Sequence, residues 1–393
     1  MTRIIEAVDL TTHFYTYEGV VKALDKVCLR VDHGITFGLV GESGCGKSVT
    51  VRSMMRIIQE PGRIEGGKVF FTPKKGESVQ AVDLLSKSEA WMQGLRGNRI
   101  SMIFQEPNAA LNPIMRVGDQ VAESFLFHRK KSMSQKILTD LGRADTVVFP
   151  GTRRIQKALY ALSAQTPKAR ILTLSRRIPL LRRWETRMKK EAFRRATEII
   201  GRLGIADPDA VAKNYPHNLS GGMKQRIVIA IALACKPDLL IADEATSNLD
   251  VTVQAQILTL LKDLKKTEIS SILMITHDLG VVAETCDRVG VMYAGTLCEE
   301  ADVKELFTDP KHPYTIALLA SVPQRHQEGE LKTIDGTVPN LVHPPSGCRF
   351  HPRCPHVMPK CRDEVPAFIP VGENHKVACH LYDVFEHQGK SDV

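Results

Sequence analysis

The sequence has no apolar run long enough to cross a bilayer. Its longest runs, such as residues 227–235, fall far short of the roughly 18 residues that a membrane span needs. The first residues also lack the apolar segment of a signal peptide and instead carry Glu6 and Asp9. We therefore expect a cytoplasmic chain that meets a membrane through partners or surface contact. Its 393 residues predict about two to three domains with a large α/β core.

One glycine-rich loop follows an apolar run, residues 37–40. It reads Gly-Glu-Ser-Gly-Cys-Gly-Lys-Ser over residues 41–48 and leads into a helix-compatible segment, residues 49–58. Glycines let backbone amides surround nucleotide phosphates, and a helix start adds about half a positive charge. This order predicts a P-loop, in which Lys47 reaches the β and γ phosphates and Ser48 ligates Mg²⁺. The predicted nucleotide-binding residues here are Gly41, Glu42, Ser43, Gly44, Cys45, Gly46, Lys47, Ser48 and Val49.

A second apolar segment, residues 239–242, ends in the adjacent acids Asp243 and Glu244. A buried strand ends in this way when an acid must face a metal ion. Asp243 is placed to hold Mg²⁺ through its water shell, and Glu244 can polarise the water that attacks the γ phosphate. Two acids in a turn after a strand are common on their own, but together with a P-loop they favour a nucleotide-hydrolysing site.

Between these motifs, Ser220, Gly221 and Gly222 open an apolar helix that continues through residues 227–234. The free amides at a helix start suit another phosphate. One nucleotide cannot occupy both this loop and the P-loop of the same chain if the two lie far apart. We therefore expect two chains or domains placed head to tail, each offering its Ser220 loop to the nucleotide of the other.

These motifs resemble those of the ATP-binding subunit of an ATP-binding cassette (ABC) transporter, over about residues 5–300. The resemblance implies an α/β P-loop NTPase fold with a RecA-like core, an antiparallel β subdomain and a helical subdomain. Residues 219–223 resemble the signature loop, with Met223 where Gln is more usual. Residues 249–250 resemble the D-loop across the dimer, which adds Asp250 to the expected ATP site.

Two more residues acquire roles through this resemblance. Gln105, in the sequence Met-Ile-Phe-Gln-Glu-Pro, resembles the Q-loop residue that senses Mg²⁺ and touches the membrane subunit. His277, after an apolar run, resembles the switch histidine that contacts the γ phosphate. The implied catalytic residues are Glu244 and His277, and the implied Mg²⁺ ligands are Ser48, Gln105 and Asp243.

Further segments narrow the resemblance to the branch that imports oligopeptides, dipeptides and nickel. They are residues 104–113, residues 251–258 and the His-Pro-Tyr sequence of residues 312–314. Membership implies an ATPase that energises the uptake of di- or oligopeptides through two transmembrane permeases, which an external solute-binding protein supplies. It also implies a second, related ATPase subunit as heterodimer partner, and a peripheral position on the cytoplasmic face of the cell membrane.

The expected domains follow from the same resemblance. Residues 1–300 form the nucleotide-binding domain, with a helical subdomain over about residues 105–235, and residues 301–393 form a C-terminal extension. The segment after Glu244 departs from the branch, since Ala245 replaces a proline and Asn248 replaces an alanine. We expect these changes to affect the dimer interface.

An aromatic side chain upstream of the P-loop stacks on adenine in the family. Tyr15 or Tyr17, with Phe14 as a third choice, is the candidate for that contact. Each of the three could instead pack against the small β subdomain.

Tight Cys-x₂-Cys pairs are absent, yet four of the nine cysteines crowd the C-terminal region with the spacing Cys-x₅-Cys-x₆-Cys-x₁₇-Cys. Four thiolates on a short, Pro-rich segment can hold a [4Fe–4S] cluster or tetrahedral Zn²⁺, or they can stay free. Members of the branch carry a C-terminal cluster of this kind, which favours iron–sulfur over zinc. The predicted ligands are Cys348, Cys354, Cys361 and Cys379.

Acidic residues are scarce in the basic insertion, about residues 129–195, where nineteen basic residues stand against four acidic ones. A solvated or permease-docking helical face is the favoured interpretation. A second is contact with anionic lipid headgroups through residues 176–184, which mix arginines with apolar side chains such as Trp184. Nucleic-acid binding is possible from charge alone, but no recognised motif supports it. We therefore expect no nucleic-acid partner.

Other protein classes share some of these motifs. A soluble ABC-type ATPase of DNA repair or ribosomes usually carries long coiled-coil insertions or two cassettes, whereas this chain has one cassette. A non-hydrolysing regulatory subunit would have an impaired site, whereas Glu244 and His277 are both present. The sequence therefore predicts a hydrolysing importer subunit, with nickel chelates or sugars as alternative cargoes.

Overall fold

The computed structural model describes residues 2–73, 80–142, 150–167, 183–246, 249–267, 269, 271–321 and 334–383. The chain divides into two compact units, each described here by itself. The first unit comprises Met1–Met92, Asp238–Ala245 and Leu261–Val393. The second unit comprises Gln93–Pro237 and Thr246–Leu260.

The strands are, in chain order, β1 (Arg3–Thr16), β2 (Gly19–Asp32), β3 (Thr36–Val40), β4 (Gly62–Phe71), β5 (Val82–Asp83), β6 (Ile100–Ile103), β7 (Leu239–Asp243), β8 (Ser271–Ile275), β9 (Arg288–Tyr293), β10 (Thr296–Asp302), β11 (Ile369–Pro370) and β12 (Lys376–Val377). The helices of the first half are α1 (Lys47–Met54), α2 (Glu89–Leu95), α3 (Pro107–Ala110), α4 (Val117–His128), α5 (Lys130–Gly142), α6 (Pro150–Gln165) and α7 (Arg183–Arg202). Those of the second half are α8 (Pro208–Ala212), α9 (Gly221–Leu233), α10 (Val251–Thr267), α11 (Leu279–Thr285), α12 (Val303–Thr308), α13 (Pro313–Ala320) and α14 (Pro359–Asp363).

The smaller sheet of the first unit has the strand order β2-β1-β4-β5, and its neighbouring strands are antiparallel. Strand β1 buries the apolar side chains of Ile5, Ala7 and Leu10. Its pairing with β2 contains register shifts, which let one long strand bend while it keeps an apolar face. This sheet is the antiparallel β layer that the sequence predicts.

The larger sheet places the strands of the first unit in the order β11-β12-β10-β9-β3-β8-β7. Strand β3 pairs in parallel with β8 and β9, and β7 pairs in parallel with β8. All residues of β3, β7 and β8 are buried, which explains their continuous apolar sequences, since helices cover both faces of parallel sheets. The carboxyl ends of these strands meet at one edge, where α/β proteins bind ligands.

The second unit is mainly helical, and its core includes aromatic side chains from the basic insertion. Tyr160 on α6 and Trp184 on α7 are buried, and their rings meet edge to face with centroids 5.7 Å apart. Trp184 is therefore not available as an anchor for lipid headgroups, because burial in the helical core competes with that role. Residues 176–182 of the same predicted segment lie outside the described residues.

Several cations of α7 are compensated by nearby carboxylates. Arg194 pairs with Glu191 and Glu198, and Arg195 also pairs with Glu191. Partial burial raises the pKa of Glu191, but the hydrogen bonds from Arg194 and Arg195 outweigh this effect. The pKa of Glu191 is therefore below its usual value. On this helix, ion pairs at i,i+3 and i,i+4 thus neutralise part of the positive charge.

The C-terminal segment, residues 334–383, is built from short elements and packs against the rest of the first unit through aromatic side chains. Strand β12 pairs with β10 opposite Glu299 and Glu300. The Phe350 ring is buried, with centroids 5.1 Å from Tyr293 and 5.4 Å from Tyr314. These rings continue the core of the larger sheet into a segment with little regular structure of its own.

His312 is buried where this segment meets the sheet. Its Nδ1 atom accepts a hydrogen bond from the Tyr314 amide at 3.0 Å and caps helix α13. Burial lowers the pKa of His312 to about 4, although the Glu299 carboxylate acts in the opposite direction. The ring is therefore neutral at neutral pH, as its acceptor role requires.

Candidate functional site

The loop between β3 and α1 adopts a conformation that its glycines make possible. Gly41 has a φ of +149°, and a Cβ atom there would lie 2.2 Å from the Met292 carbonyl oxygen. Gly46 has a φ of +103° and caps helix α1, which begins at Lys47. Both positions thus need glycine for backbone conformation and for space. The strand, loop and helix predicted from residues 37–58 are all present.

Lys47 lies inside this loop. Its side chain is buried, and its Nζ atom donates to the carbonyl oxygens of Gly41 at 2.8 Å and Glu42 at 3.0 Å. The ammonium group is therefore enclosed by the same backbone that is expected to hold phosphates. A buried cation among backbone dipoles suits a polyanionic ligand.

We call Ser48, Arg52, Asp243, Glu244 and His277 the magnesium corner. The Ser48 hydroxyl donates to Asp243 Oδ1 at 2.7 Å, so the two predicted metal ligands from α1 and β7 meet. Burial raises the pKa of Asp243 above its usual value, although the Ser48 hydrogen bond and the Arg52 charge act in the opposite direction. Among the described residues, Asp243 Oδ2 has no hydrogen-bond partner, although Arg52 lies 3.6 Å away. A half-buried hydroxyl and an incompletely satisfied carboxylate are oxygen ligands of the kind that Mg²⁺ takes.

Glu244 and His277 lie at the ends of the neighbouring parallel strands β7 and β8. Their side chains approach to 3.5 Å between Glu244 Oε1 and His277 Nδ1. The Glu244 backbone has a φ of +48° and donates to the Ile275 carbonyl at 3.0 Å. A non-glycine residue in this left-handed region is strained, and such residues concentrate at functional sites. The Glu244 side chain is mostly buried and that of His277 is largely exposed, so the pair opens to solvent on the histidine side.

The predicted signature loop lies on the second unit. Ser220 is the N-cap of helix α9, and its Oγ atom accepts from the Met223 amide at 3.3 Å. A Cβ atom on Gly222 would lie 2.9 Å from Val253 Cγ1, so close packing requires glycine there. The amides of Gly221 and Gly222 therefore stand at the first turn of a long helix.

Two other predicted site residues belong to this second unit. The Asp250 side chain accepts from the Val253 amide at 2.9 Å and caps helix α10. Gln105 follows strand β6 and is half-buried. Asn248, whose substitution was expected to affect the dimer interface, lies outside the described residues.

The candidate adenine-stacking residues lie at the tip of the β1–β2 hairpin. Tyr17 is almost fully exposed, at 98%. Tyr15 donates its hydroxyl hydrogen to Glu65 at 2.9 Å and has the Arg63 guanidinium 5.4 Å from its ring centroid. Phe14 is half-buried in the sheet. Neighbouring side chains therefore hold the Tyr15 ring, which is the more restrained of the two exposed rings.

The structure brings to the site three residues for which the sequence predicted no site role. Arg52 stands one helical turn after Ser48, so its spacing along α1 was a usable signal. Tyr314 accepts from the Glu42 amide at 2.9 Å, and Arg353 pairs with the Glu42 carboxylate at 2.8 Å. These two contacts join residues more than 270 positions apart, so no local sequence pattern predicts them.

We call Cys348, Cys354, Cys361 and Cys379 the cysteine corner. Cys348 and Cys354 are half-buried, whereas Cys361 and Cys379 are buried. Burial is the main cause that raises the pKa of Cys348 to about 11 and that of Cys379 to about 12, and neighbouring cysteines raise both further. The thiols thus lie near one another, and Cys348 also lines a cavity of about 520 Å³.

Four neighbouring thiols suit an iron–sulfur cluster or Zn²⁺ by their chemistry. Within the part of the chain that the structure describes, however, no group of three His, Cys, Asp or Glu side chains is arranged to hold a metal ion. The donor set fits the predicted cluster by its chemistry, and the cluster stays a prediction. Within the same described ranges, no helix has the length and apolar character of a membrane span.

Comparison with known protein families gives two matches. The ABC transporter family matches residues 24–247, and the C-terminal region of oligopeptide/dipeptide transporters matches residues 298–361. The second match covers the attachment of the C-terminal segment and three of the four cysteines of the cysteine corner.

Curated relatives match almost the whole chain. A probable peptide ABC transporter ATP-binding protein of Sinorhizobium fredii is 41% identical and covers 96% of this chain and 94% of its own. A dipeptide transport ATP-binding protein of Bacillus subtilis is 40% identical, covering 98% and 96%. An oligopeptide transport ATP-binding protein of the same organism is 39% identical, covering 98% of each.

Solved structures share the fold. A dimeric ATP-binding cassette in a post-hydrolysis state, bound to ADP and phosphate, superposes with a TM-score of 0.52 at 20% identity and covers 76% of this chain and 98% of its own. A nucleotide-free ABC transporter cassette gives 0.51 at the same identity, covering 80% and 99%. The chain therefore belongs to the ABC transporter family and, within it, to the ATP-hydrolysing subunits of oligopeptide and dipeptide transporters.

Proposed function

We propose that this chain hydrolyses ATP to energise the uptake of di- or oligopeptides through a membrane importer. The relatives named above are peptide, dipeptide and oligopeptide transport ATP-binding proteins, and they match this chain nearly end to end. The observation that carries the ATPase role is the magnesium corner, where Ser48 and Asp243 meet at 2.7 Å beside Glu244 and His277.

The P-loop binds the phosphates in this proposal. Backbone amides of residues 41–49 surround the phosphate oxygens, and Lys47 turns from the loop carbonyls toward the β and γ phosphates. Ser48 and Asp243 would hold Mg²⁺, and the Q-loop resemblance adds Gln105 to the proposed ligands. When bound, Mg²⁺ neutralises charge on the β and γ phosphate oxygens. Tyr15 or Tyr17 stacks on the adenine.

Glu244 and His277 carry the chemical step. Glu244 orients and polarises the attacking water, and its mostly buried carboxylate is held by a strained backbone that the sheet fixes. His277 contacts the γ phosphate from the neighbouring strand end. The 3.5 Å approach of the two side chains supports a shared task at one reacting centre.

A second ATPase subunit completes the site. Its signature loop, equivalent to Ser220, Gly221 and Gly222 here, presents free helix amides to the γ phosphate, and Asp250 supports the same interface. We infer a related heterodimer partner. ATP stabilises the closed pair because only that state offers both halves of the site, and hydrolysis then reopens it.

The closing movement drives two transmembrane permeases, which receive the peptide from an external solute-binding protein. The Q-loop resemblance of Gln105, two residues after β6, supports a contact with the membrane subunit at this residue. We infer a peripheral position for this chain on the cytoplasmic face of the cell membrane. The basic insertion forms a permease-facing or solvated surface, with anionic lipid as a secondary contact.

We also propose a [4Fe–4S] cluster on the cysteine corner, with Zn²⁺ as the alternative. The four neighbouring thiols and the adjacent cavity support this assignment. Protein purified without oxygen should be brown, absorb near ~400 nm and contain about four iron atoms per chain. Colourless, iron-free protein would contradict the cluster, and stoichiometric zinc would establish the alternative.

The ATPase proposal is tested with Glu244→Gln, which keeps the side-chain volume and removes the carboxylate. We expect ATP hydrolysis to fall by about 10²–10⁴-fold, because a general base is lost, while the Kd for ATP stays within about threefold. Glu284→Gln, at an exposed glutamate paired with Lys262, is the matched control. Brisk hydrolysis by Glu244→Gln would overturn the assigned role.

A further inference from the structure

Glu42, the second residue of the P-loop, is held at three points. Its amide donates to the Tyr314 hydroxyl at 2.9 Å, and its carbonyl oxygen accepts from Lys47 Nζ at 3.0 Å. Its carboxylate oxygens accept hydrogen bonds from both terminal nitrogens of Arg353, at 2.8 and 3.2 Å. Two of the three restraints come from outside the loop. The position of the Glu42 backbone therefore depends on residues from the C-terminal third of the chain.

Arg353 uses its whole guanidinium group at this place. Besides the two bonds to Glu42, its Nε atom donates to the Asp335 carbonyl at 2.7 Å, and its terminal nitrogens donate to the Ile334 carbonyl at 3.2 Å and the Tyr293 hydroxyl at 3.3 Å. The side chain is only 5% exposed. A buried, bidentate arginine with every donor used fixes both orientation and distance.

The position of Arg353 in the sequence links this contact to the cysteine corner. Arg353 ends the short 3₁₀ turn His351–Arg353, which lies between Cys348 and Cys354. The amides of His351, Arg353 and Cys354 donate within that turn, at 3.0, 3.0 and 3.3 Å. The turn that spaces the two cysteines thus also aims the arginine at the P-loop.

A second arginine of the same segment makes a parallel connection. Arg349 pairs with Asp25 at 2.7 Å and donates to the Ala294 carbonyl. The next residue, Gly295, donates its amide to the Cys45 carbonyl of the P-loop at 2.9 Å. The cysteine-bearing segment therefore contacts the loop directly at Glu42 and through one intermediate turn at Cys45.

We propose that Arg353 is a positioning residue for the P-loop, acting through Glu42, and that nucleotide affinity therefore depends on the fold of the cysteine-bearing segment. The carbonyl of Glu42 is one of the two that hold Lys47, so a displaced Glu42 also displaces the lysine that binds phosphates. This inference rests on the proposed nucleotide-binding role of the P-loop. It makes the C-terminal segment part of the ATP site without any contact to ATP.

The coupling is reciprocal by thermodynamic linkage. A nucleotide that fixes the P-loop also stabilises the Glu42–Arg353 pair and, with it, the turn at residues 351–353. Amide hydrogen exchange at His351, Arg353 and Cys354 should therefore slow when nucleotide binds.

The test is a double-mutant cycle on the full chain with Glu42→Gln and Arg353→Met, measured as the Kd for a fluorescent ATP analogue with Mg²⁺. We expect each single variant to raise the Kd by about tenfold, because a charge-assisted bidentate contact is lost. The double variant should be no weaker than either single variant, since both remove the same interaction. Arg353→Lys should restore part of the affinity. Arg362→Met, at an exposed arginine of the same segment, is the matched control and should bind like the wild type.

Hydrogen exchange supplies a readout that a merely structural arginine would not change. A non-hydrolysable ATP analogue should slow exchange at residues 351–354 in the wild type but not in Glu42→Gln, whose substitution lies outside that segment. If Arg353→Met does not fold, Glu42→Gln still tests the proposal through its Kd and its exchange pattern. Wild-type affinity in Glu42→Gln, or multiplying effects of about 100-fold in the double variant, would overturn the inference. Absent ATP binding by the wild type would instead overturn the proposed function.

Discussion

The magnesium corner joins side chains from separate parts of the chain, whereas the cysteine corner gathers four thiols from one continuous segment. Ser48 and Asp243 are 195 positions apart and lie within hydrogen-bond distance. The four cysteines lie within 32 positions, yet among the described residues no three side chains are arranged to hold a metal ion. Residues distant in sequence can therefore meet as closely as residues of one short segment.

The difference has a structural cause. In the magnesium corner, parallel strands β3, β7 and β8 are fixed by backbone hydrogen bonds, so the residues that follow them meet at one sheet edge. In the cysteine corner, two-residue strands and single turns position the thiols, and apolar packing around Phe350 holds the segment. A sheet edge fixes side chains before a ligand binds, while a segment of this kind depends more on what its side chains contact.

Among the substitutions that test this comparison, Asp243→Asn in the magnesium corner should have the largest effect. It removes the charge of the buried carboxylate, so we expect Mg²⁺-dependent ATP turnover to fall by at least about 1,000-fold, equivalent to about 4 kcal/mol of transition-state stabilisation. Steady-state hydrolysis assays measure this loss. Asp309→Asn, at an exposed carboxylate of the first unit, is the control. Turnover above a tenth of wild type would show that the magnesium corner does not work as described.

Phe350→Ala tests whether packing holds the cysteine corner. The buried ring contacts Tyr293 and Tyr314, so its removal should cost about 3–4 kcal/mol of unfolding free energy through lost burial and a cavity. Urea unfolding measures the change, and Phe127→Ala, at an exposed phenylalanine, should change it little. A cost below about 1 kcal/mol would mean that some other interaction, such as a bound metal group, supplies the stability.

The smallest expected effect concerns pH and the buried His312. Its pKa is about 4 in the folded protein and about 6.5 when unfolded, so the unfolded state takes up the proton first as pH falls. Its stability contribution is complete above pH ~6.5 and is lost as pH falls toward ~4. Between pH 7 and pH 5 the loss should be about 2 kcal/mol.

His312→Asn keeps a cap acceptor but does not titrate, so its stability should fall less over that interval. Thermal unfolding of both proteins at the two pH values gives the comparison. Equal losses would show that His312 does not contribute to acid sensitivity at the junction of the C-terminal segment.

Local patterns in the sequence predicted much of this protein. The apolar strand, glycine loop and helix at residues 37–58 and the acids after β7 are present as expected, because their conformations depend on neighbouring residues. The α/β fold and the ATP-binding family also follow from these motifs. The alternative of lipid contact through residues 176–184 loses Trp184 as an apolar anchor, because this ring belongs to the helical core.

The sequence by itself determined the P-loop, its lysine and the residue types of the magnesium corner. Only the tertiary structure decided that Glu244 adopts a strained backbone beside His277, that Arg52 faces Asp243, and that Arg353 holds Glu42. The physical reason is the range of the interactions. Loop conformation depends on glycine and on adjacent residues, whereas a buried ion pair between positions 42 and 353 exists only after the sheet and the aromatic core bring the two segments together.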